Sequence, residues 1–152
     1  MADGVFNIAR GYVGYYCSLP AASDGIVIVL LKSSGLQADA TLVDHDNLSV
    51  ILAASNDECD FTNYARKAVS STTPATDDTN DRFDIDLGDL TWSSAGGASN
   101  NTIGKLLVCY DGNTGTGDDT NITPLTHHDF SFTTTGADLT AVINTSGFYR
   151  SS

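Results

Sequence analysis

The chain has 152 residues, of which 41% are hydrophobic and 17% are charged, and its formal net charge is -12 at pH 7. This length suits one domain with a substantial core, so we expect a single domain over residues 1–152. The acidic balance argues against binding to nucleic acid phosphates or to anionic membrane surfaces, because both would repel the chain.

The N-terminus and the cysteines carry no secretion or redox pattern. Residues 1–10 lack a basic stretch followed by an apolar run, which predicts synthesis in the cytoplasm without a signal peptide. Cys17, Cys59 and Cys109 are widely spaced and form no CxxC motif. We therefore expect free thiols instead of a disulfide framework or a zinc site.

Strand patterns begin at the N-terminus. Residues 5–16 are rich in β-forming and aromatic side chains and predict a strand bent at its glycines. Residues 26–31 are continuously apolar, which predicts a strand buried on both faces. Residues 38–43 predict a short edge strand.

The middle of the chain contains the one helical pattern. Residues 46–54 place apolar side chains at helical spacing, and Asp46 or Asp44 is the expected N-cap. Residues 61–70 alternate as a strand would, and residues 72–80 read as a polar loop around a proline.

The second half is predicted to be almost entirely β. Residues 82–87 place apolar side chains at every second position, as in a strand with one buried face. Residues 102–110 predict a second strongly apolar strand. Residues 128–134 and 139–144 predict a hairpin across a short turn.

Together these patterns predict about eight or nine strands and one short helix, which is typical of a mainly β protein. We expect a single antiparallel β-sandwich, either jelly-roll-like or Ig-like, with the two apolar strands at its centre. The patterns do not decide between these topologies.

One cluster has metal-ligand residue types, namely His127, His128 and Asp129. On a strand His127 and Asp129 would share one face and His128 would point to the other. A transition-metal site needs three convergent ligands, and His45 is the only further imidazole in the sequence. We therefore expect polar packing here and no metal, with a metal-dependent hydrolase as a minor alternative.

Two acidic loops and a lone tryptophan offer other chemistry. Residues 77–81 and 111–119 carry carboxylates that could hold calcium, but neither has EF-hand spacing and solvated turns are the simpler interpretation. Trp92 beside a glycine pair could stack on a sugar, although a single tryptophan in a β protein more often fills the core. No nucleophile elbow or phosphate-binding glycine loop occurs, so we expect no enzyme activity and no cofactor.

Several short motifs resemble small virion proteins of tailed bacteriophages, of the head decoration or minor capsid type. The resemblance covers residues 60–150 best, and its motifs carry no assigned chemistry. They are FTNYARK at 61–67, DDTNDR at 77–82, TWSSAGG at 91–97, NNT at 100–102, KLLVCY at 105–110 and GFYR at 147–150.

The resemblance implies a non-enzymatic structural role on the capsid surface of a virion, with the major capsid protein as partner. It also implies a homo-oligomer, with a trimer favoured because many decoration proteins sit on local threefold positions. We expect the aromatic terminal segments, residues 1–16 and 147–152, to act as docking arms. The interface residues predicted from the sequence are Tyr12, Tyr15, Tyr16, Trp92, Phe148, Tyr149 and Arg150.

Two other functions stay open at this point. A carbohydrate- or receptor-binding module of a tail or fibre would use Trp92 and the acidic loops. A metal-dependent hydrolase would use the His127 cluster.

Overall fold

A computed structural model describes residues 3–152 as a mainly β protein with short helical segments. Within these residues ten strands form three antiparallel sheets. The strands are β1 (Gly4–Val5), β2 (Gly25–Lys32), β3 (Lys67–Val69), β4 (Thr73–Asp77), β5 (Arg82–Asp86), β6 (Leu90–Trp92), β7 (Thr102–Asp111), β8 (Ile122–Thr133), β9 (Leu139–Ala141) and β10 (Tyr149–Ser151). The helices are α1 (Val13–Cys17), α2 (Asp39–Leu42) and α3 (Leu48–Ala53), with 3-10 turns at Asn7–Ala9 and Asp119–Asn121.

The largest sheet has five strands in the order β1-β8-β7-β2-β3. The two strongly apolar strands, β2 and β7, pair along their length, from Gly25 opposite Asp111 to Lys32 opposite Ile103. Their central position is the one predicted from the sequence. A strand at the middle of a sheet has neighbours on both sides, so all of its backbone groups can be paired without polar side chains.

At β2 both faces of this sheet are buried, which explains the uninterrupted apolar run of that strand. Ile26, Ile28 and Leu30 point to the first face and join the larger core, which includes Trp92 and Ile85 of the smaller sheets. The alternate residues, Val27, Val29 and Leu31, point to the second face. There they contact Phe6, Leu42, Leu48 and Ile51, which come from the N-terminal segment, α2 and α3.

Two small sheets cover the first face and complete the sandwich. One has the order β10-β5-β4 and the other pairs β6 with β9. The predicted alternation of β5 is confirmed at Ile85, which is fully buried, while its neighbours Asp84 and Asp86 are only partly covered. The mainly β, antiparallel architecture predicted from the sequence is therefore confirmed.

The predicted strand over residues 5–16 is wrong beyond Val5, because the chain turns into a 3-10 turn and then α1. Its buried residues are Phe6, Ala9 and Val13, and Cys17 follows just beyond it; their spacing of three and four is the period of a helix. The exposed tyrosines between them raised the β-propensity of the segment, but burial follows the helical period.

Two other predictions about the first half need correction. The expected edge strand at 38–43 is the single helical turn α2. With α1 and α3, residues 3–152 contain three short α-helices and not one. The helix predicted at 46–54 is present as α3, but its N-cap is Asn47, whose side chain accepts a hydrogen bond from the N–H of Val50. Asp44 instead accepts a hydrogen bond from the side chain of Asn7.

Three predictions about strands and loops also need correction. Only Lys67–Val69 of the expected strand at 61–70 is paired in a sheet. The expected loop at 72–80 contains β4, an edge strand, which is where a proline such as Pro74 is tolerated. The expected hairpin between 128–134 and 139–144 does not form, because β8 pairs with β7 and β1 whereas β9 pairs with β6.

Candidate interaction surface

The most exposed aromatic side chains lie on the N-terminal segment. Tyr12 and Tyr15 are 60% and 59% exposed, and nearby Ile8 is 40% exposed. Six large hydrophobic side chains are exposed among the described residues, and these three all fall within residues 8–15. We call Ile8, Tyr12 and Tyr15 the N-terminal apolar surface.

The local sequence explains why these tyrosines point outward. Val13 and Cys17 are one helical turn apart and both are buried, so they fix the inner side of α1. Tyr12 and Tyr15 are three positions apart and therefore share another side of the same turn. The helix has an apolar inner side and an aromatic outer side, an arrangement that burial within this chain does not require.

The rest of α1 anchors it to the sheets. Tyr16 is half-buried, and its ring lies against that of Tyr110, with 4.8 Å between the ring centroids. Gly14 lies so close to the ring of Phe83 that an added Cβ would be 3.0 Å from it. The side chain of Thr72 donates a hydrogen bond to the carbonyl oxygen of Cys17. Tyr16 therefore supports the N-terminal apolar surface and does not belong to its exposed part.

The C-terminal residues predicted as an interface are part of the fold. Tyr149 and Arg150 lie in β10, which pairs with β5, and the N–H of Phe148 donates to the carbonyl of Ile85 at 3.0 Å. Arg150 is ion-paired with Asp84 at 2.7 Å. Phe148 and Tyr149 are only partly exposed and contact the larger core. Residues 149–151 are therefore an edge strand, and its solvent-facing parts are the only ones a partner could reach.

Trp92 is 1% exposed, and its Nε1 donates a hydrogen bond to the carbonyl oxygen of Ala65 at 2.8 Å. The ammonium of Lys67 lies 5.5 Å from the centre of the ring. The indole is therefore a core side chain with its polar group satisfied. It offers no open face for sugar stacking or for an interface, so both sequence-based roles for Trp92 lose their physical basis.

The residues of the His127 cluster point to different faces, as predicted. His127 is opposite Leu107 in the register and is 2% exposed, with its ring edge-on to Phe6. Burial, and then the nearby charge of Lys105, lower the pKa of His127 below 6.5, so the ring is neutral at neutral pH. Its Nδ1 has no hydrogen-bond partner among the residues described.

His128 lies on the first face of the sheet, where its Nδ1 is 3.3 Å from a carboxylate oxygen of Asp3 and its Nε2 is 2.9 Å from the hydroxyl of Thr126. The remaining imidazole, His45, has its Nε2 2.7 Å from the amide oxygen of Gln37. Within residues 3–152 no three His, Cys, Asp or Glu side chains are placed to hold a metal ion together.

A buried lysine was not predicted from the sequence. Lys105 is fully buried in β7, and its ammonium is 2.8 Å from a carboxylate oxygen of Asp39 and 2.5 Å from one of Asp129. It joins α2, β7 and β8 on the second face of the sheet. The signal in the sequence is a lone lysine within an apolar strand, but its pairing depends on the register that places Asp129 opposite it.

The carboxylates of the two acidic loops mainly stabilise turns. Asp77, Asp111 and Asp118 each accept a hydrogen bond from the backbone N–H two residues ahead. Asp119 forms an ion pair with Arg66. These side chains are thus committed to local structure.

The three cysteines are free and buried. Burial raises the pKa of both Cys17 and Cys59 to about 12 and raises that of Cys109 as well, so all three remain protonated thiols.

Comparison with known proteins gives no relative: no protein-family model, no curated protein and no solved structure matches this chain. None of the helices within residues 3–152 is long and apolar enough to cross a membrane.

Proposed function

We propose that this chain is a non-enzymatic virion structural protein, a capsid decoration or minor capsid protein that binds the major capsid lattice. The observation that carries the proposal is the N-terminal apolar surface, where two tyrosines on an anchored helix stay mostly exposed. Tyrosine is enriched at the energetic centres of protein interfaces because its large ring is rigid and keeps a polar group at its tip.

The exposed area is large enough to matter for binding. An aromatic side chain buries about 150–250 Å² in a core, so exposures near 60% leave on the order of 100 Å² uncovered on each tyrosine. At about 25 cal/mol per Å², covering both rings would contribute on the order of 5 kcal/mol before the costs of association. A rigid support adds to this, since α1 would lose little conformational freedom on binding.

The remainder of the molecule suits a protein displayed in many copies. Its charge of -12 keeps copies apart in solution until a specific contact forms. The two-sided core and the closely paired central strands give a rigid scaffold with no dependence on disulfides. The sequence motifs that resemble small phage virion proteins support the same class of role.

In this proposal the protein lies on the capsid surface after synthesis in the host cytoplasm, with the major capsid protein as its partner. A homo-oligomer, most simply a trimer at a local threefold position, would bring several N-terminal apolar surfaces to one site. Several weak contacts held together in this way bind far more tightly than one.

The test is the copy number of this chain in purified particles of the phage that encodes it, measured by quantitative mass spectrometry relative to the major capsid protein. A ratio near one, or a fixed simple fraction, is expected for a protein that decorates the lattice. A few copies per particle would contradict decoration and favour a tail or vertex component. Absence from particles would overturn the virion role.

A further inference from the structure

A cavity of about 260 Å³ lies on the first face of the central sheet. Its floor is formed by Ile28, Leu106 and Val108, and its walls include Leu87, Leu90 and Phe148. The cavity shares no residue with the N-terminal apolar surface. It is smaller than the roughly 300–1,000 Å³ typical of pockets for drug-sized ligands, so its volume suits a single aliphatic or aromatic side chain.

The mouth of the cavity is polar and acidic. Asp3, Asp129 and His128 line it together with Asn144. The carboxylate of Asp129 is ion-paired with Lys105, so the acidic character of the mouth comes from the exposed carboxylate of Asp3. His128 is held between Asp3 and Thr126, and Asp3 also accepts a hydrogen bond from the N–H of Asp129 at 2.9 Å. These contacts fix the carboxylate of Asp3 at the rim, where its side chain remains 62% exposed.

The charge of the rim persists at neutral pH. Partial burial acts to raise the pKa of Asp3, but the hydrogen bond from the N–H of Asp129, the nearby imidazole of His128 and the charge of Lys105 outweigh it and lower the pKa below 3.8. Asp3 therefore presents a negative charge beside an apolar interior. An anionic group would be repelled at this mouth, and a cationic one attracted.

The rim also has an apolar lip. Val142 lines the cavity and is 75% exposed, so apolar surface continues from the interior to the outside of the protein. An apolar anchor inserted in a pocket and surrounded by polar contacts is the usual arrangement at the centre of a protein interface.

We infer that this cavity is a second binding site, which receives one aliphatic or aromatic side chain of a partner protein that has a lysine or arginine next to it. The apolar floor and lip bind the anchor, and the carboxylate of Asp3 at the mouth attracts the adjacent cation. The inference holds whether or not the partner is a capsid protein, and its test uses the isolated chain.

The experiment titrates the ¹⁵N-labelled protein with three blocked dipeptides and follows its backbone amide shifts by NMR. Acetyl-Phe-Lys-amide contains anchor and cation, acetyl-Phe-Glu-amide reverses the charge, and acetyl-Gly-Lys-amide lacks the anchor. We expect saturable shifts at Ile28, Val108 and Ala141 with the Phe-Lys probe in the millimolar range. Affinity for the Phe-Glu probe should be weaker by about threefold or more, in keeping with an exposed charge pair. The Gly-Lys probe should leave these amides unshifted.

Charge reversal at the rim provides the matched variant. Asp3→Lys should invert the preference between the Phe-Lys and Phe-Glu probes, whereas Asp78→Lys, on an exposed turn outside the cavity, should leave it unchanged. An unchanged amide spectrum outside the rim shows that each variant is folded. The inference is overturned if no probe shifts the cavity amides, if the Gly-Lys probe shifts them equally, or if Asp3→Lys leaves the charge preference as it was.

Discussion

The buried lysine gives the sharpest test of how the second face of the sheet is held together. Lys105 is fully buried, while its partners Asp39 and Asp129 keep 25% and 38% of their side chains exposed. Removing the lysine leaves two carboxylates that water can reach. Removing both carboxylates leaves an ammonium that water cannot reach. The two changes should therefore lower the free energy of unfolding by very different amounts.

Removing one partner of a buried ion pair costs about 3–5 kcal/mol when the partner left behind is a buried charge without compensation. The ammonium of Lys105 would be such a charge, whereas the carboxylates of Asp39 and Asp129 are partly exposed to water. We therefore expect Asp39→Ala/Asp129→Ala to lower the free energy of unfolding by about 3–5 kcal/mol. Lys105→Met should lower it by clearly less than the double variant does, because the two carboxylates that remain can be hydrated. Urea unfolding followed by tryptophan fluorescence measures both, since Trp92 is the only tryptophan and is buried.

The pH dependence distinguishes an electrostatic cause from loss of packing. In the wild type, burial acts to lower the pKa of Lys105, but hydrogen bonds to Asp129 and Asp39 outweigh it and raise the pKa above 10.5. Its contribution is thus fully present below the unfolded pKa of 10.5 and is lost only as the pH rises through the folded pKa. In the double variant the unpaired lysine has a lowered pKa, so stability should rise between about pH 7 and pH 10. Equal losses for the two variants, or a double variant with no such rise, would refute this reasoning.

Three further predictions concern single structural features. Gly147→Ala should lower the free energy of unfolding by at least about 1–2 kcal/mol, because Gly147 has φ +87 and an added Cβ would collide with the carbonyl oxygen of Ile85. Gly88→Ala is the control, since a Cβ there meets nothing within 4 Å. Equal urea midpoints for the two variants would contradict the packing of residue 147. Asn56→Ala should lower the free energy of unfolding by about 2–4 kcal/mol in the same assay. The fully buried side-chain amide of Asn56 donates to the side-chain oxygen of Gln37 and the carbonyl oxygen of Ile51, and it accepts from the backbone N–H of Gln37. A loss below about 1 kcal/mol would count against this network. Iodoacetamide should leave the three buried thiols unmodified in the folded protein and alkylate all of them in urea, as read by intact mass; rapid alkylation without denaturant would show that a thiol is accessible.

The parts of the fold that follow from the sequence are those fixed by local periodicity. Three strands can be predicted from their own residues, because their side-chain patterns match their burial. They are β2 and β7, with continuous apolar runs, and β5, with alternating apolar residues. The pairing of β9 with β6 is different. It depends on long-range contacts that a short strand with turn residues on both sides does not specify.

The candidate surfaces likewise include residues that the sequence predicts and residues whose position depends on long-range contacts. Tyr12 and Tyr15 could be named from their residue type and terminal position, and the structure places both on the exposed side of α1. Tyr16 and Trp92 share that residue class but are anchored inside, because neighbours distant in sequence cover them. The cavity and its acidic mouth could not be predicted, since Asp3 and His128 meet only through the pairing of β1 with β8.

The most direct test of the proposed role is the binding of purified chain to particles of the encoding phage that were assembled without it. Sedimentation of the mixture gives the bound fraction for the wild type, for Tyr12→Ser/Tyr15→Ser, and for Phe132→Ser, which alters another exposed aromatic side chain on β8. We predict saturable binding of the wild type and of Phe132→Ser, and affinity at least about tenfold weaker for the double tyrosine variant with its stability unchanged. Equal binding by all three proteins, or no binding by the wild type, would contradict docking through the N-terminal apolar surface.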